Sequence, residues 1–338
     1  MNTRLFGAIA LGAAIAIATP VSAQQIVMKI GTATVGTGDQ NMWMERFKQR
    51  VEQRAGGRMA VNLFPGSQLG DNTRMMEGTQ LGTLEAYVAP TVYLSIADRR
   101  FMVLDSPGIF DDIEHGQRVV TDPGFRDMFL VLGTAKNVIG ISMWASGTYC
   151  LMMRSKPVRT VDDFKGLKIR VLASRVESET ARRLGSTGVP MALGEVMQAV
   201  QTGVIDGAKG ALVVADAFKM WTLTKYLTET DEAVLVSAVA VHKPWFDKLP
   251  ADLRTAVLEE GKRLDQEMHD YSIEQRKGFR VNWVKNGGEL IQLAPAERKK
   301  LTERLATVGE TVIQDFPEVK PVFQSMLDFA KKHRKPAS

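Results

Sequence analysis

The chain has 338 residues, of which 45% are hydrophobic and 24% are charged, and its formal net charge is +5 at pH 7. These proportions are those of an ordinary globular protein, and the length favours two domains over a single core. The single cysteine, Cys150, excludes an intrachain disulfide. The basic residues do not form a stripe with interleaved aromatic residues or a recognised motif, so a nucleic-acid partner is not expected.

The first residues predict an exported protein. Met1 to Arg4 form a short cationic start, Leu5 to Ala18 form an apolar run, and Val21-Ser22-Ala23 supplies a small-residue cleavage site. The apolar run is shorter than the roughly 20 residues that span a bilayer, although an uncleaved anchor is the alternative. We therefore expect residues 1–23 to be a signal peptide that is cleaved near Ala23.

Strand and helix patterns alternate along the rest of the chain. In chain order the periodicity predicts strands at 27–31, 59–64, 86–89, 137–142 and 168–172, and helices at 42–54, 74–80, 174–184 and 249–285. This alternation predicts an α/β fold with a parallel or mixed sheet that is covered on both faces. Ser146-Gly147-Thr148 is predicted to be the point where the chain leaves the first domain. The last helix would be some 50 Å long.

A lone arginine stands at the end of one predicted strand. The run from Lys168 to Leu172 is apolar except for two cations, Lys168 and Arg170. Ligands of open α/β domains bind at the carboxyl ends of the strands. A guanidinium is a planar fork of donors that grips a carboxylate through two parallel hydrogen bonds. Arg170 is therefore a candidate carboxylate anchor, and the alternative is a surface cation beside a strand.

The segment around this arginine resembles one family of proteins. It reads Gly166-Leu167-Lys168-Ile169-Arg170-Val171. Two further segments of the resemblance lie before and after it in the chain: Phe64-Pro65-Gly66-Ser67-Gln68-Leu69-Gly70 and Trp245-Phe246-Asp247-Lys248-Leu249-Pro250. The order and spacing of such segments from about Met28 to about Asp328 are similar to those of the solute-binding receptors of tripartite ATP-independent periplasmic (TRAP) transporters. The resemblance implies that Arg170 clamps the carboxylate of an organic acid.

The resemblance also implies an architecture and a partner. We expect a two-lobed, periplasmic-binding-protein-like α/β fold with mixed sheets covered by helices and a long helix that spans both lobes. Residues 24–148 and about 238–275 would form lobe I, residues 149–237 and about 276–330 lobe II, and residues 331–338 a solvated basic tail. The receptor would lie in the periplasm, need no cofactor, and deliver its ligand to the membrane permease subunits for ion-driven uptake.

Six further residues are candidates for the pocket wall. They are Thr91, Asp71, Tyr149, Cys150, Leu193 and Gly210. Several positions that are polar in receptors for very polar acids carry apolar or small residues in this chain. The resemblance places these positions at Ala33, Pro90, Cys150 and Gly210. Pocket polarity should match ligand polarity, because an unpartnered buried donor costs about 1 to 3 kcal/mol. This favours a monocarboxylate with an apolar or aromatic body, whereas an inward-facing Lys209 would restore a dicarboxylate.

Two other functions remain open from the sequence. An exported enzyme could use Cys150 as a nucleophile or Glu195 and Asp206 as an acid/base pair. Glu195 also fits the start of a helix, and Asp206-Gly207 fits a tight turn. The histidines are scattered, so no metal site is predicted. A ligand sensor would share the binding site and differ only in the membrane partner that reads the closed form.

Overall fold

The computed structural model describes residues 25–335. The predicted signal peptide, residues 1–23, lies outside this range. The strands of the described residues are β1 (Ile26–Gly31), β2 (Met59–Phe64), β3 (Ala86–Pro90), β4 (Val138–Met153), β5 (Lys168–Val171), β6 (Thr187–Pro190), β7 (Gly207–Ala211), β8 (Tyr226–His242) and β9 (Glu289–Gln292).

Helices separate most of these strands. They are α1 (Asp39–Ala55), α2 (Asn72–Leu81), α3 (Thr91–Leu94), α4 (Ile113–Val120), α5 (Pro123–Leu130), α6 (Arg175–Arg183), α7 (Val196–Thr202), α8 (Leu212–Ala217), α9 (Lys243–Asp247), α10 (Ala251–Lys285), α11 (Pro295–Leu305), α12 (Val308–Ile313) and α13 (Lys320–His333). Within the described residues, no helix combines the length and the apolarity needed to cross a bilayer.

The described strands form one mixed sheet in the order β2-β1-β3-β8-β4-β7-β5-β6, with β9 beside β8. At one end β1 pairs in parallel with β2 and β3, and at the other β5 pairs in parallel with β6 and β7. Parallel strands require crossover connections, usually helices, which cover the faces of the sheet. The predicted two-lobed α/β fold is confirmed, but the two halves share a continuous sheet.

The long strands β4 and β8 make the sheet continuous. Residues 138–145 of β4 pair with residues 236–242 of β8, and residues 150–153 pair with residues 226–229. The register shifts between these two stretches, where Asp231 of β8 adopts a left-handed backbone with φ 46°. The predicted crossing point at Ser146-Gly147-Thr148 lies in this region. The strand continues through it, so the predicted strand at 137–142 was too short.

Helix α10 links the two halves from one side. It starts two residues later than predicted, because Pro250 has an extended backbone (ψ 143°) and serves as the N-cap. Its first part packs on α1 and β4, where Val257, Leu264 and Met268 are buried, and its last part packs on α8 and β9. With 35 residues it is about 52 Å long. The predicted helix that spans both lobes is confirmed.

The C-terminal segment differs from the sequence prediction. Helix α13 was assigned to lobe II, but it packs on α4 and α5 of the first half. The tail was predicted to be solvated and partly frayed. Instead Lys332 Nζ and His333 Nε2 each lie 2.7 Å from Asp122 Oδ2, and Arg334 Nε donates to Asp111 at 2.9 Å. Lys332 and Arg334 are exposed, as a solvated tail predicts, but the acidic side chains of the first half hold the tail against fraying.

Candidate ligand-binding site

A small cavity lies where the β1–α1 and β3–α3 junctions face β5 and β7. Its volume is about 40 Å³. The lining residues are Ala33, Thr34, Asp39, Gln40, Asn72, Pro90, Tyr93, Tyr149, Arg170, Leu172, Leu193, Gly210, Ala211, Val213, Val214 and Leu235. Most of them are apolar or carry a polar group that is already bonded within the protein. Gln40, for example, accepts from Thr32 and donates to Ser237.

Arg170 projects from β5 into this cavity and has N–H donors that are not used in hydrogen bonds within the protein. It is 4% exposed, its Nε donates to the carbonyl oxygen of Met191, and its Nη1 donates to that of Lys209, both at 3.1 Å. These bonds use two of its five N–H donors. In the described part of the chain the guanidinium forms no ion pair with a carboxylate. Because an unpaired buried charge is costly, the arrangement suits an anion supplied from outside.

The segments around β5 hold the arginine in place. β5 lies between β6 and β7, and the following helix α6 is capped by Ser174, whose hydroxyl accepts from the amide of Glu177 at 3.2 Å. At the other end of β5, Asp206 Oδ2 accepts from the amide of Lys168 at 2.7 Å. Arg170 therefore sits near the carboxyl end of a strand that is fixed at both ends, as the sequence predicted.

Lys209 does not line the cavity. Its ammonium lies 2.9 Å from Glu177 Oε1 and 2.7 Å from Glu232 Oε1, and 4.1 Å from the ring centroid of Tyr149. Burial alone would lower the pKa of Lys209, but the two carboxylates outweigh burial and raise it above its ordinary value. The ammonium is therefore paired inside the protein, and only the main-chain carbonyl of Lys209 takes part in the site, as the acceptor for Arg170.

Tyr149 adds a free hydroxyl to the buried region beside the cavity. Its ring lines the cavity, and its hydroxyl is buried without a hydrogen-bond partner in the described structure. Burial, together with the carboxylates of Glu177 and Asp105, raises the pKa of Tyr149 well above its ordinary value. The hydroxyl is therefore neutral and has a proton to donate.

The other predicted wall residues divide into two groups. Leu193 and Gly210 line the cavity, as do Ala33 and Pro90. Thr91, Asp71 and Cys150 do not. Asp71 caps α2 by accepting from the amide of Arg74 at 2.8 Å. Thr91 is buried at the start of α3, with its hydroxyl unpartnered.

Cys150 faces away from the cavity. Its thiol donates to the carbonyl oxygen of Gly210 at 3.3 Å and packs in an apolar cluster with Met152 and Val200. Burial raises the pKa of this thiol, so it is not prepared to act as a nucleophile. Glu195 is exposed at the N-cap of α7, and the carboxylate of Asp206 is engaged with the main chain of β5. Among the described residues, no cluster of metal-binding side chains is present.

Asp39 is a lining residue that the sequence analysis missed. It lies in the first turn of α1, is 2% exposed, and its Oδ2 accepts from the indole nitrogen of Trp144 at 2.7 Å. Burial raises its pKa, and the hydrogen bond from Trp144 opposes that shift. In the described structure it has no basic partner. A carboxylate at a helix start has an ordinary structural explanation, so the sequence did not distinguish it.

A larger open groove of about 590 Å³ lies around the β8 bulge, α10 and α11. Its arginines are paired with carboxylates: Arg276 bonds to Asp231 at 3.0 Å, Arg298 lies 3.2 Å from Asp231, and Arg280 lies 2.7 Å from Glu229. The groove therefore offers no unpaired anchor comparable with Arg170.

Comparison with known proteins identifies the family. The profile described as bacterial extracellular solute-binding protein, family 7 (DctP), matches residues 37–315. The chain belongs to this family. The match confirms the predicted resemblance to TRAP receptors and identifies a family of solute-binding receptors for transport, which is not a class of enzymes.

Individual relatives agree with this assignment. The chain is 29% identical over 323 residues to the C4-dicarboxylate-binding periplasmic protein DctP of Rhodobacter capsulatus, covering 93% of this chain and 95% of that protein. It is 24% identical to the 2,3-diketo-L-gulonate-binding periplasmic protein YiaO of Escherichia coli, covering 86% and 88% of the two chains.

Solved structures share the fold. A TRAP periplasmic solute-binding protein of Desulfovibrio salexigens with bound orotic acid has a TM-score of 0.87 at 20% identity, covering 92% of this chain and all of that chain. A TRAP receptor of Shewanella oneidensis with bound succinate has a TM-score of 0.84 at 22% identity, covering 90% and 99%.

Proposed function

We propose that this TRAP receptor binds a monocarboxylate with an apolar body, anchored by Arg170, and delivers it to membrane permease subunits. The observation that carries the proposal is the buried guanidinium of Arg170, which lines the cavity and lacks an internal carboxylate partner. A ligand carboxylate would satisfy the remaining N–H donors in a bidentate pair. The relatives that bind C4-dicarboxylates, diketogulonate or succinate support an organic acid as the ligand class.

The number of available cations supports a single carboxylate. Lys209 is the other buried cation near the cavity, and Glu177 and Glu232 already neutralise it. A second ligand carboxylate would find no unpaired cation among the lining residues. Transfer of an unpaired carboxylate from water into such a site is unfavourable. Dicarboxylates should therefore bind less tightly than monocarboxylates of similar size.

The lining also supports an apolar body. Leu172, Leu193, Val213, Val214 and Leu235 contribute apolar walls, and Asn72 is occupied by the hydroxyl of Tyr87 at 2.7 Å. A sugar acid would bury several hydroxyls with few partners, each at a cost of about 1 to 3 kcal/mol. An aliphatic or aromatic acid incurs no such cost.

Binding would couple to closure of the lobes. The cavity is lined from both halves of the molecule, so a ligand contacts both halves only in the closed form and stabilises it. We further propose that the mature protein begins after Ala23 and works in the periplasm, where the closed form meets the permease. Mass spectrometry of the protein purified from the periplasm would test the cleavage site.

A thermal-shift screen tests the ligand class. Branched-chain and aromatic monocarboxylates would be compared with succinate, malate and sugar acids. A ligand present at 100 times its Kd stabilises the folded state by about 2.7 kcal/mol, which gives a measurable shift in Tm. We expect the shifts in the first group. Shifts in Tm from malate or a sugar acid alone would contradict the preference for an apolar body, but they would still support a receptor for organic acids.

A further inference from the structure

We propose that the ligand also carries a protonated amine, which the carboxylate of Asp39 receives, so that the receptor takes an amphoteric acid such as an amino acid with an apolar side chain. This inference rests on the proposed function, because it assigns the second end of a ligand whose carboxylate lies on Arg170. It is carried by the charges that the structure places on the two walls of the same cavity.

The cavity has two charged residues among its sixteen lining residues, and they have opposite signs. Arg170 belongs to β5 of the second half, and Asp39 belongs to α1 of the first half. They are 4% and 2% exposed. Neither forms an ion pair with any residue between 25 and 335, although most of the other acidic and basic side chains in that range are paired. The cavity therefore has a buried carboxyl group on one wall and a buried guanidinium on the other.

The bonding of Asp39 leaves room for a ligand. Its Oδ2 accepts the indole N–H of Trp144, whereas the nearby Ser146 hydroxyl donates its proton to Ser237 Oγ at 2.7 Å. Trp144 is a neutral donor, so it does not compensate a negative charge. A carboxylate buried without a cation is expensive, and a ligand ammonium within hydrogen-bond distance would supply the missing charge.

An alternative role for Asp39 is purely local, as a carboxylate that favours the start of α1. An exposed first-turn carboxylate would serve that role at lower cost, because helix-dipole stabilisation at the surface is worth only about 0.3 to 1 kcal/mol. Asp39 is instead buried and contacts the same empty space as Arg170. Its position is therefore explained better by a charge that enters the cavity.

The polarity of the cavity limits the ligand further. Its walls are largely apolar, so the site suits an apolar group between the two charges. The unpartnered hydroxyl of Tyr149 is buried beside the cavity and supplies neither a cation nor an anion. An amino acid has this combination of a carboxylate, an ammonium and an apolar body.

Matched ligand triplets test the proposal by calorimetry on the mature chain. Each triplet has one carbon skeleton with an amine, a hydroxyl or a hydrogen at the same position, for example leucine, 2-hydroxy-4-methylpentanoate and 4-methylpentanoate. Phenylalanine, 3-phenyllactate and 3-phenylpropionate form a second triplet, and analogues substituted at the third or fourth carbon cover other spacings. In at least one series we expect the amine to bind at least about tenfold more tightly than both partners.

Two variants test whether Asp39 causes the preference for the amine. Asp39→Asn keeps an acceptor for Trp144 and should reduce the amine preference to about threefold or less, at the scale of a neutral hydrogen bond. Asp71→Asn is the matched control, since asparagine also caps a helix and Asp71 does not line the cavity. It should leave the preference unchanged. If Asp39→Asn does not fold, the wild-type ratios decide the question.

The outcomes separate this inference from the proposed function. The inference is overturned if no amine exceeds its hydrogen analogue, if the hydroxyl analogue equals the amine, or if Asp39→Asn retains the preference. If the amine-free acids then bind to the wild-type protein but not to Arg170→Ala, the proposed receptor function still holds. If instead leucinamide binds as tightly as leucine, the carboxylate clamp itself is wrong.

Discussion

The guanidinium of Arg170 donates a 3.1 Å hydrogen bond to the main-chain carbonyl of Lys209, while the side chain of Lys209 reaches Glu177 and Glu232 instead of the ligand cavity. The two cations are neighbours on β5 and β7, yet one is fully paired and the other is not. Both are buried, so we expect Lys209 to contribute mainly to stability and Arg170 to be the cation that is free to bind an incoming anion.

Removal of the anchor should abolish binding without unfolding the protein. Arg170→Ala should weaken acid binding by at least about 30-fold, since truncation of one partner of a buried charged pair costs roughly 2 to 5 kcal/mol. Arg170→Lys should recover little, because an ammonium cannot form the bidentate pair. Calorimetry measures both variants, with Arg182→Ala, an exposed arginine on α6, as the control. Affinity close to wild type in Arg170→Ala would refute the assignment.

Removal of the paired cation should have the opposite effect. Lys209→Met leaves Glu177 and Glu232 buried without their cation, so we expect the free energy of unfolding to fall by about 3 to 5 kcal/mol in urea titrations. Lys277→Met, on an exposed part of α10, is the control and should change it by less than about 0.5 kcal/mol. A stable Lys209→Met variant that no longer binds the acid would show that Lys209 serves the ligand after all.

Much of the fold could be predicted because its signals are local. The helical periodicity over 249–285 and the strand at 59–64 depend on nearby residues, and both are found within two residues of their predicted bounds. The length of β4 could not be predicted in this way. Its pairing partner β8 lies about 90 residues further along the chain, and the glycines and serines at 140–147 gave no local strand signal.

The site was predicted less completely. Tyr149 and Cys150 were both proposed as wall residues, but adjacent residues on a strand face opposite sides of the sheet, so only Tyr149 lines the cavity. That alternation was visible in the sequence. The partners of Lys209 were not, since Glu177 and Glu232 come from α6 and β8 and no local pattern connects them.

The docked C-terminus should contribute to stability. Lys332 and His333 share the carboxylate of Asp122, which also caps α5, and they hold its pKa below the usual range despite partial burial. The double change Lys332→Ala and His333→Ala should lower the free energy of unfolding by about 1 to 2 kcal/mol, as expected for a small network of charge-assisted bonds. Denaturation of this variant would be compared with Lys331→Ala. Equal stabilities of the two variants would show that the contacts to Asp122 do not stabilise the fold.

Asp265 should give the protein a distinct pH dependence. It is buried on α10, its Oδ1 accepts from Ser142 and the amide of Met143, and its Oδ2 accepts from Arg126 at 2.9 Å. Burial raises its pKa from 3.8 to about 6, against the effect of these partners. The folded state therefore holds the proton more tightly than the unfolded state, so this group's contribution to stability is complete below pH 3.8 and is lost as the pH rises to about 6.

Asp265→Asn removes this titration. Its free energy of unfolding relative to wild type should therefore increase by on the order of 3 kcal/mol between pH 4 and pH 7, at 1.36 kcal/mol per pKa unit. Urea denaturation at several pH values measures the difference between the variant and wild type. Carboxylates with a lowered pKa, such as Glu179 at about 2, give the opposite slope in both proteins, so their contributions cancel in this difference. Asp270→Asn on the same helix is the control for loss of one carboxylate. Parallel profiles for Asp265→Asn and wild type would mean that Arg126, Ser142 and Met143 keep Asp265 ionised in both states.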